Sequence, residues 1–263
     1  MSRPKKKIVL VLVEGKSERE LLRDMISTLY DRIDEYIQVY FPIIREDDAE
    51  TGGDITSRSG VTPKNIQREI YDLFLHRFFD QEKIMPKDVY EVIQIVDMDG
   101  VYIPDGDIHV TEDPTLDHYY YAEDRIIVPG PDAVVKAQER NNRKRQNLEF
   151  LLSLDKIKVK QKSVKYSVYY FSCNLDHFFH RDANMNPEDK VYAAWDLSAA
   201  YLHMDDGMDK FVDFICRDPR SALGMTLEQS WEYIQEEGHN SLKSGTNINI
   251  LLERLRGEAE AAT

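Results

Sequence analysis

Apolar residues come in two rhythms along this chain. Short apolar runs alternate with helical spacing over the first two-thirds, and helical spacing dominates the last third. The run Ile8 to Val13 contains no polar residue, which predicts a strand buried on both faces, as in the centre of a parallel sheet. Gly15 then makes a turn. Ser17-x-x-Glu20 reads as a capping box, and Leu21, Leu22, Met25, Ile26 and Leu29 follow at helical intervals. That division of labour leaves Glu14, at the strand mouth, without a structural task.

Residues 37–44 predict a second strand, and 45–61, polar and Gly-bearing, a mobile excursion. Thr62-Pro63 opens a helix over 62–80. Val89 to Val96 is a third strand running into Asp97-Met98-Asp99-Gly100, and 125–128 a fourth, closed by Pro129-Gly130-Pro131. A helix over 132–153 carries an Arg-rich run. Lysines on alternate residues then lead into a strand at 166–172, and helices follow from 174 onward. The expected class is α/β: a core over 1–172 with an inserted loop near 45–61, and a mainly helical part over 173–263 packed on it.

Charge refines this picture. The chain of 263 residues has a net charge of −14, which argues against a surface coated in basic groups for gripping long nucleic acid. The spread is uneven, however. Residues 136–165 hold ten Lys or Arg against three acids, so this segment is +7 and the remainder −21. Arg140, Arg143, Lys144 and Arg145, with Lys16 after the first strand, are the candidate contacts to a phosphodiester backbone. A solvated helix face followed by a Lys-guarded edge strand explains the same stripe. Two cysteines without paired spacing give neither a disulfide framework nor a zinc knuckle. The N-terminal apolar run is too short for a signal peptide, and no stretch suits a membrane span, so a cytoplasmic location is expected.

In an open parallel sheet, ligands bind at the carboxyl ends of the strands. Glu14 lies at one such end and Asp97-x-Asp99 at another. In an extended backbone residues two apart point to one side, so Asp97 and Asp99 are expected to converge. Carboxylates gathered there repel one another unless a cation intervenes, and hard oxygen ligands suit Mg²⁺ or Mn²⁺. Each motif has a plainer reading: Glu-Gly after a strand is common, and Asp-x-Asp-Gly is often an Asx-stabilised turn.

Taken in order, VLVEGKSE and IVDMDG resemble the Toprim domain, the catalytic fold of topoisomerases, bacterial primases and several nuclease families, among them OLD-type and RloB-like proteins of phage defence. The resemblance covers roughly residues 7–130 and rests on Glu14, Gly15, Asp97, Asp99 and the adjoining Gly100. It implies a Toprim-like Rossmannoid sheet. Asp97 and Asp99 would hold the metal, and Glu14 would ligate it or handle a proton. The 83 residues from Glu14 to Asp97 exceed the compact Toprim spacing, the extra length lying in the 45–61 loop and the helix after it.

FSCNLDHFFHRDAN places Ser172, Asn174 and Asp176 after a strand. It is loosely similar to a Ser-Asn-Pro-Cys segment of RloB-like proteins, without the proline and with Asn and Cys in another order. On that likeness Asp176 would be a further metal ligand. Alternatively Ser172 or Asn174 caps the next helix, with Asp176 in its first turn. His177 and His180 are candidate metal or phosphate contacts or, more plainly, packed side chains. Tyr119 to Tyr121 are base-stacking candidates or packing residues.

These readings lead to a Mg²⁺-dependent nuclease acting on DNA or RNA, with phage defence implied by the resemblance. The alternative is a non-catalytic subunit of the same fold that binds metal, nucleotide or a protein partner, as in a defence complex. A third reading is an enzyme for small phosphoesters. A homodimer is compatible with all three.

Overall fold

A six-stranded sheet runs through the centre of the computed structural model, which describes residues 6–46 and 49–262. Of the stretches read above, residues 1–5, 47, 48 and 263 lie outside the described residues. Strand β1 (Lys7–Leu12) leads into α1 (Lys16–Ile33) and then β2 (Ile37–Tyr40), parallel to β1. The second strand stops at Tyr40, short of the expected residue 44, because Pro42 has no N–H for a ladder. A hairpin of β3 (Arg45–Glu46) and β4 (Ala49–Glu50) follows. After it comes a rod of α2 (Ile66–Ile70), a π turn (Tyr71–Leu75) and α3 (His76–Glu82).

The chain then returns to the other side of β1 as β5 (Val89–Asp97). Next, β6 (Ile108–Val110), β7 (Tyr120–Tyr121) and β8 (Ile126–Val128) make a small separate sheet. The expected fourth strand at 125–128 therefore forms but does not join the main sheet. Beyond α4 (Pro131–Leu152), β9 (Lys156–Val159) turns back antiparallel on the start of β10 (Lys162–Ser172). Strand β10 takes the place beside β5, paired in parallel register from Lys165↔Glu91 to Phe171↔Asp97. A three-residue strand cannot span that sheet, whereas β10 can.

The remaining helices are α5 (Leu175–His180), α6 (Pro187–Leu202), α7 (Gly207–Arg217), α8 (Leu227–Glu236) and α9 (Ile248–Ala262). Strand β11 (Gly245–Thr246) pairs antiparallel with the end of β10. The architecture is thus α/β with a mixed, mostly parallel sheet.

Strand β1 shows why the apolar run is unbroken. Ile8, Leu10 and Leu12 pack under α3, α4 and α8, while Val9, Val11 and Val13 pack under α1, α7 and α9. The parallel strands lie in spatial order β2-β1-β5-β10. The chain steps outward from β1 to β2 and then reverses to β5, so the order switches between β1 and β5. The crevice outside the carboxyl ends at such a point is where open α/β sheets bind ligands. The last third of the chain also reaches it: the Ser241 carbonyl accepts from the N–H groups of Gly100 at 3.0 Å and Cys173 at 2.9 Å.

The expected capping box does not form. Gly15 is the N-cap of α1, with extended backbone and no side-chain cap, and Ser17 sits at the second helical position. Glu20 instead pairs with Arg19 and Arg23. The helix starts directly at the turn out of β1, leaving no room for a cap at Ser17.

Candidate metal centre

Glu14 has a structural task after all: its Oε1 accepts from the Asp97 N–H at 3.1 Å, tying the end of β1 to the end of β5. The strand ends at Asp97, and the next residues leave the extended geometry. Asp99 has φ +52° and Gly100 φ +68°. A Cβ at Gly100 would approach Leu242 Cδ2 to 2.6 Å, so the turn requires glycine twice over. This overturns the expected convergence of Asp97 and Asp99, because alternation holds only while the backbone stays extended. The Asp97 carboxylate takes the first amide of α5 and Asp99 turns to Lys144, while the two stay within electrostatic reach of each other.

Asp99 joins Glu14 and a residue that sequence reasoning missed, Asp54. One oxygen of each lies within 4.8 Å of the others, an arrangement that could hold a metal ion. Asp54 comes from the polar stretch after β2, whose residues 52–61 are tied to the body of the protein. Ile55, Thr56 and Val61 are buried. Gly53 N donates to the Glu14 carbonyl at 2.7 Å, and Asn147 Nδ2 donates to the carbonyls of Thr56 and Val61. Gly52, at φ +68°, lies so close to the Glu14 carbonyl that a Cβ would stand 2.9 Å from it. The Thr56 N–H fixes Asp54 through Oδ1 at 2.7 Å.

Lys144 stands among these three acids, its side chain 1% exposed. Its Nζ is 2.8 Å from Asp54 Oδ2, 3.3 Å from Asp99 Oδ2 and 3.9 Å from Glu14 Oε1, and it also donates to the Asp97 carbonyl. The Asp54 contact is a close ion pair with the ammonium. Burial alone would lower the Lys144 pKa, but Asp54, Asp99 and Glu14 outweigh it and keep the ammonium charged. Asp54 responds in kind. Burial would raise it, yet Lys144 and the hydroxyls of Thr56 and Ser57 bring it below its ordinary value. Glu14 goes the other way, pushed well above the carboxylate range by burial and then by Asp54.

Asp97 belongs to a neighbouring group. Its Oδ1 accepts from Leu175 N, the first amide of α5, at 3.0 Å. Burial, then Glu18 and Asp99, hold its carboxyl well above the usual range. Asp176 lies in this group, as does Glu18, which the sequence reading passed over. Asp176 Oδ2 pairs with Lys190 at 2.7 Å, while Asp176 Oδ1 and Glu18 Oε2 are buried without a hydrogen-bond partner. Asn174 caps α5, accepting from His177 N at 2.9 Å, and Ser172 Oγ donates to the Asn240 carbonyl. Gly15, being extended, needs no special freedom, but a Cβ there would come 3.0 Å from Glu18 Oε2.

The Arg-rich run turns inward. Arg140 donates to the Asp99 carbonyl at 2.9 Å and to the Tyr121 hydroxyl at 3.0 Å. Arg143 donates to the Ser57 carbonyl at 2.7 Å, and Arg145 lies 3.8 Å from Asp105. Lys16 is exposed at the start of α1. Of this helix, Lys144 and Arg140 brace the acidic centre. Its sequence signal was Lys144 itself, which shares the buried stripe of Ala137, Asn141, Leu148 and Leu151. His177 and His180 lie outside the triad; burial, then Arg220, lowers the His177 pKa.

No family model, no curated protein and no solved structure matches this chain. Among the described residues no helix is long and apolar enough to cross a membrane.

Proposed function

We propose that this chain is a divalent-metal-dependent hydrolase of nucleic-acid phosphodiesters, built on a Toprim-like core. The observation that carries the reading is the surplus of carboxylates over cations at the switch point between β1 and β5. The Lys144 ammonium stands among Glu14, Asp54 and Asp99, Arg140 adds its charge from the Asp99 backbone, and Asp97 lies beside them. A protein gains no stability from such a surplus, and perturbed groups of this kind gather at functional sites. The donor set fits a hard cation, because it consists of carboxylate oxygens that lie within 4.8 Å of one another.

Glu14, Asp54 and Asp99 would hold Mg²⁺ or Mn²⁺. Bound there, the ion supplies Lewis-acid polarisation of a phosphoryl oxygen and a lowered pKa for an attacking water. Lys144 keeps the three carboxylates gathered and orients Asp99, and Arg140 fixes the Asp99 backbone. Glu14 holds its proton above the usual carboxylate range, so loading the site displaces it and affinity rises with pH. Beside the site lie the carboxyls of Asp97 and Glu18, both raised above their ordinary values chiefly by burial, and the Asp176–Lys190 pair.

The test is a gel assay of wild type and Asp99→Ala on plasmid DNA and on total tRNA, with Mg²⁺, Mn²⁺ or EDTA. Metal-dependent cleavage by wild type, lost in the variant, is expected. Equal cleavage by both proteins removes the reading. Inactivity of both shifts it to a subunit that binds metal or nucleotide without turnover.

A further inference from the structure

Two features that the metal centre leaves over meet in one cleft. The tyrosine run and His177 line it together, in a volume of about 360 Å³ bounded by Tyr120, Tyr121, Glu123, His177, Arg181 and Asn184. Both of its long walls lean on the metal centre. On one, the Tyr121 hydroxyl accepts from Arg140, which donates in turn to the Asp99 carbonyl. On the other, His177 stands on α5, whose first amide holds Asp97. The Tyr121 hydroxyl is raised by burial and then by the Asp99 charge, which places it within electrostatic reach of that carboxylate.

Hydrogen bonds tie the backbone of the two cleft walls together. The Asn184 side chain accepts from Tyr121 N at 2.7 Å and donates to the Tyr121 carbonyl at 2.9 Å, clamping the loop after α5 to β7. Asn174 clamps the same loop from behind, donating to the Ala183 carbonyl at 2.8 Å.

Its chemistry favours a flat heterocycle over an anion. Tyr120 is 42% exposed, and tyrosine and histidine rings are stacking platforms for unpaired bases. Glu123 and Asp182 on the cleft wall offset Arg181, so the lining does not select a bare phosphate. Carboxylates only accept hydrogen bonds, so they select a base edge that donates. Guanine offers a ring N–H beside an amino group, whereas uracil and thymine offer one N–H between two carbonyls. The volume lies near the lower end for ligand pockets, with room for one base and its sugar.

We propose that this cleft is a nucleobase subsite of the metal centre, taking an unpaired guanine next to the phosphodiester to be cut. The proposal rests on the hydrolase reading of that centre.

It is tested by binding in EDTA, where no turnover is needed. Fluorescein-labelled single-stranded hexamers, one guanine in a uracil or thymine background against none, are titrated with the full chain and followed by anisotropy. Wild type is expected to bind the guanine hexamer more tightly. Tyr120→Ala should weaken that binding about tenfold, Tyr120→Phe should retain it, and Glu123→Gln should erase the guanine preference. Wild-type affinity in Tyr120→Ala, or no hexamer binding by wild type, overturns the proposal. The expected binding pattern without metal-supported cleavage would sink the hydrolase reading and keep the cleft. Cleavage with no response to Tyr120→Ala would do the reverse.

Discussion

Glu91 and Asp97 lie on the same strand, β5, and their surroundings could hardly differ more. Glu91 is fully buried and fully matched. It accepts from Arg254 Nη2 at 2.8 Å and from the Tyr30 hydroxyl at 2.8 Å, and Lys165 Nζ lies 3.2 Å away. At the carboxyl end of the strand, Asp97 and its neighbours Glu14, Asp54, Asp99, Glu18 and Asp176 crowd together, and two of their oxygens are buried without any donor. The first arrangement fastens α9 to the sheet. The second gathers more carboxyl groups than cations and holds Glu14 and Asp97 above the usual carboxylate range, a perturbation that collects at functional sites.

The comparison can be broken in several ways. Asp97→Ala or Asp99→Ala should lower turnover on the order of a thousandfold while circular dichroism stays that of wild type; wild-type rates would make the carboxyl end merely structural. Glu91→Ala should do the opposite. It strands the Arg254 charge and should reduce stability by about 3 kcal/mol in a urea titration, without lowering turnover per folded molecule.

Lys144→Met sharpens the contrast. Without its ammonium, Asp54, Asp99 and Glu14 face one another, so the metal-free protein should lose about 3 kcal/mol. Saturating Mn²⁺ should return part of that loss, read as a Tm shift. Failure of Mn²⁺ to stabilise the variant would count against a cation site.

A smaller effect concerns pH. Glu14 and Asp97 are held above the usual carboxylate range, so the folded state retains protons that the unfolded chain has released. Metal-free stability should therefore fall as pH rises from the ordinary carboxylate range through their folded values. Mn²⁺ should oppose that fall and stabilise more at pH 8 than at pH 5; equal Tm shifts at both pH values would contradict this.

Much of this was legible in the chain, for physical reasons. Ile8 to Val13 could only be a strand buried twice, and an acid directly after such a strand is conspicuous, so Glu14 and Asp97 stood out. Asp54 did not, because it lies in an irregular arm where neither helical nor strand period operates. Its one signal is local: an acid between Gly52-Gly53 and the buried pair Ile55-Thr56. The split of Asp97 from Asp99 was hidden by the left-handed turn at Asp99, which no alternation rule anticipates. The burial of Lys144 was readable in principle, since it falls in step with Leu148 and Leu151, but the charge of the run drew the reading to the surface.

The central claim is that Glu14, Asp54 and Asp99 form a cation site. Its most direct test is a calorimetric titration of Mn²⁺ into wild type, Asp54→Asn and Asp99→Asn at pH 8. Saturable binding to wild type, weakened at least about tenfold in each variant, is the expected result. No binding by wild type, or undiminished binding in both variants, would contradict it.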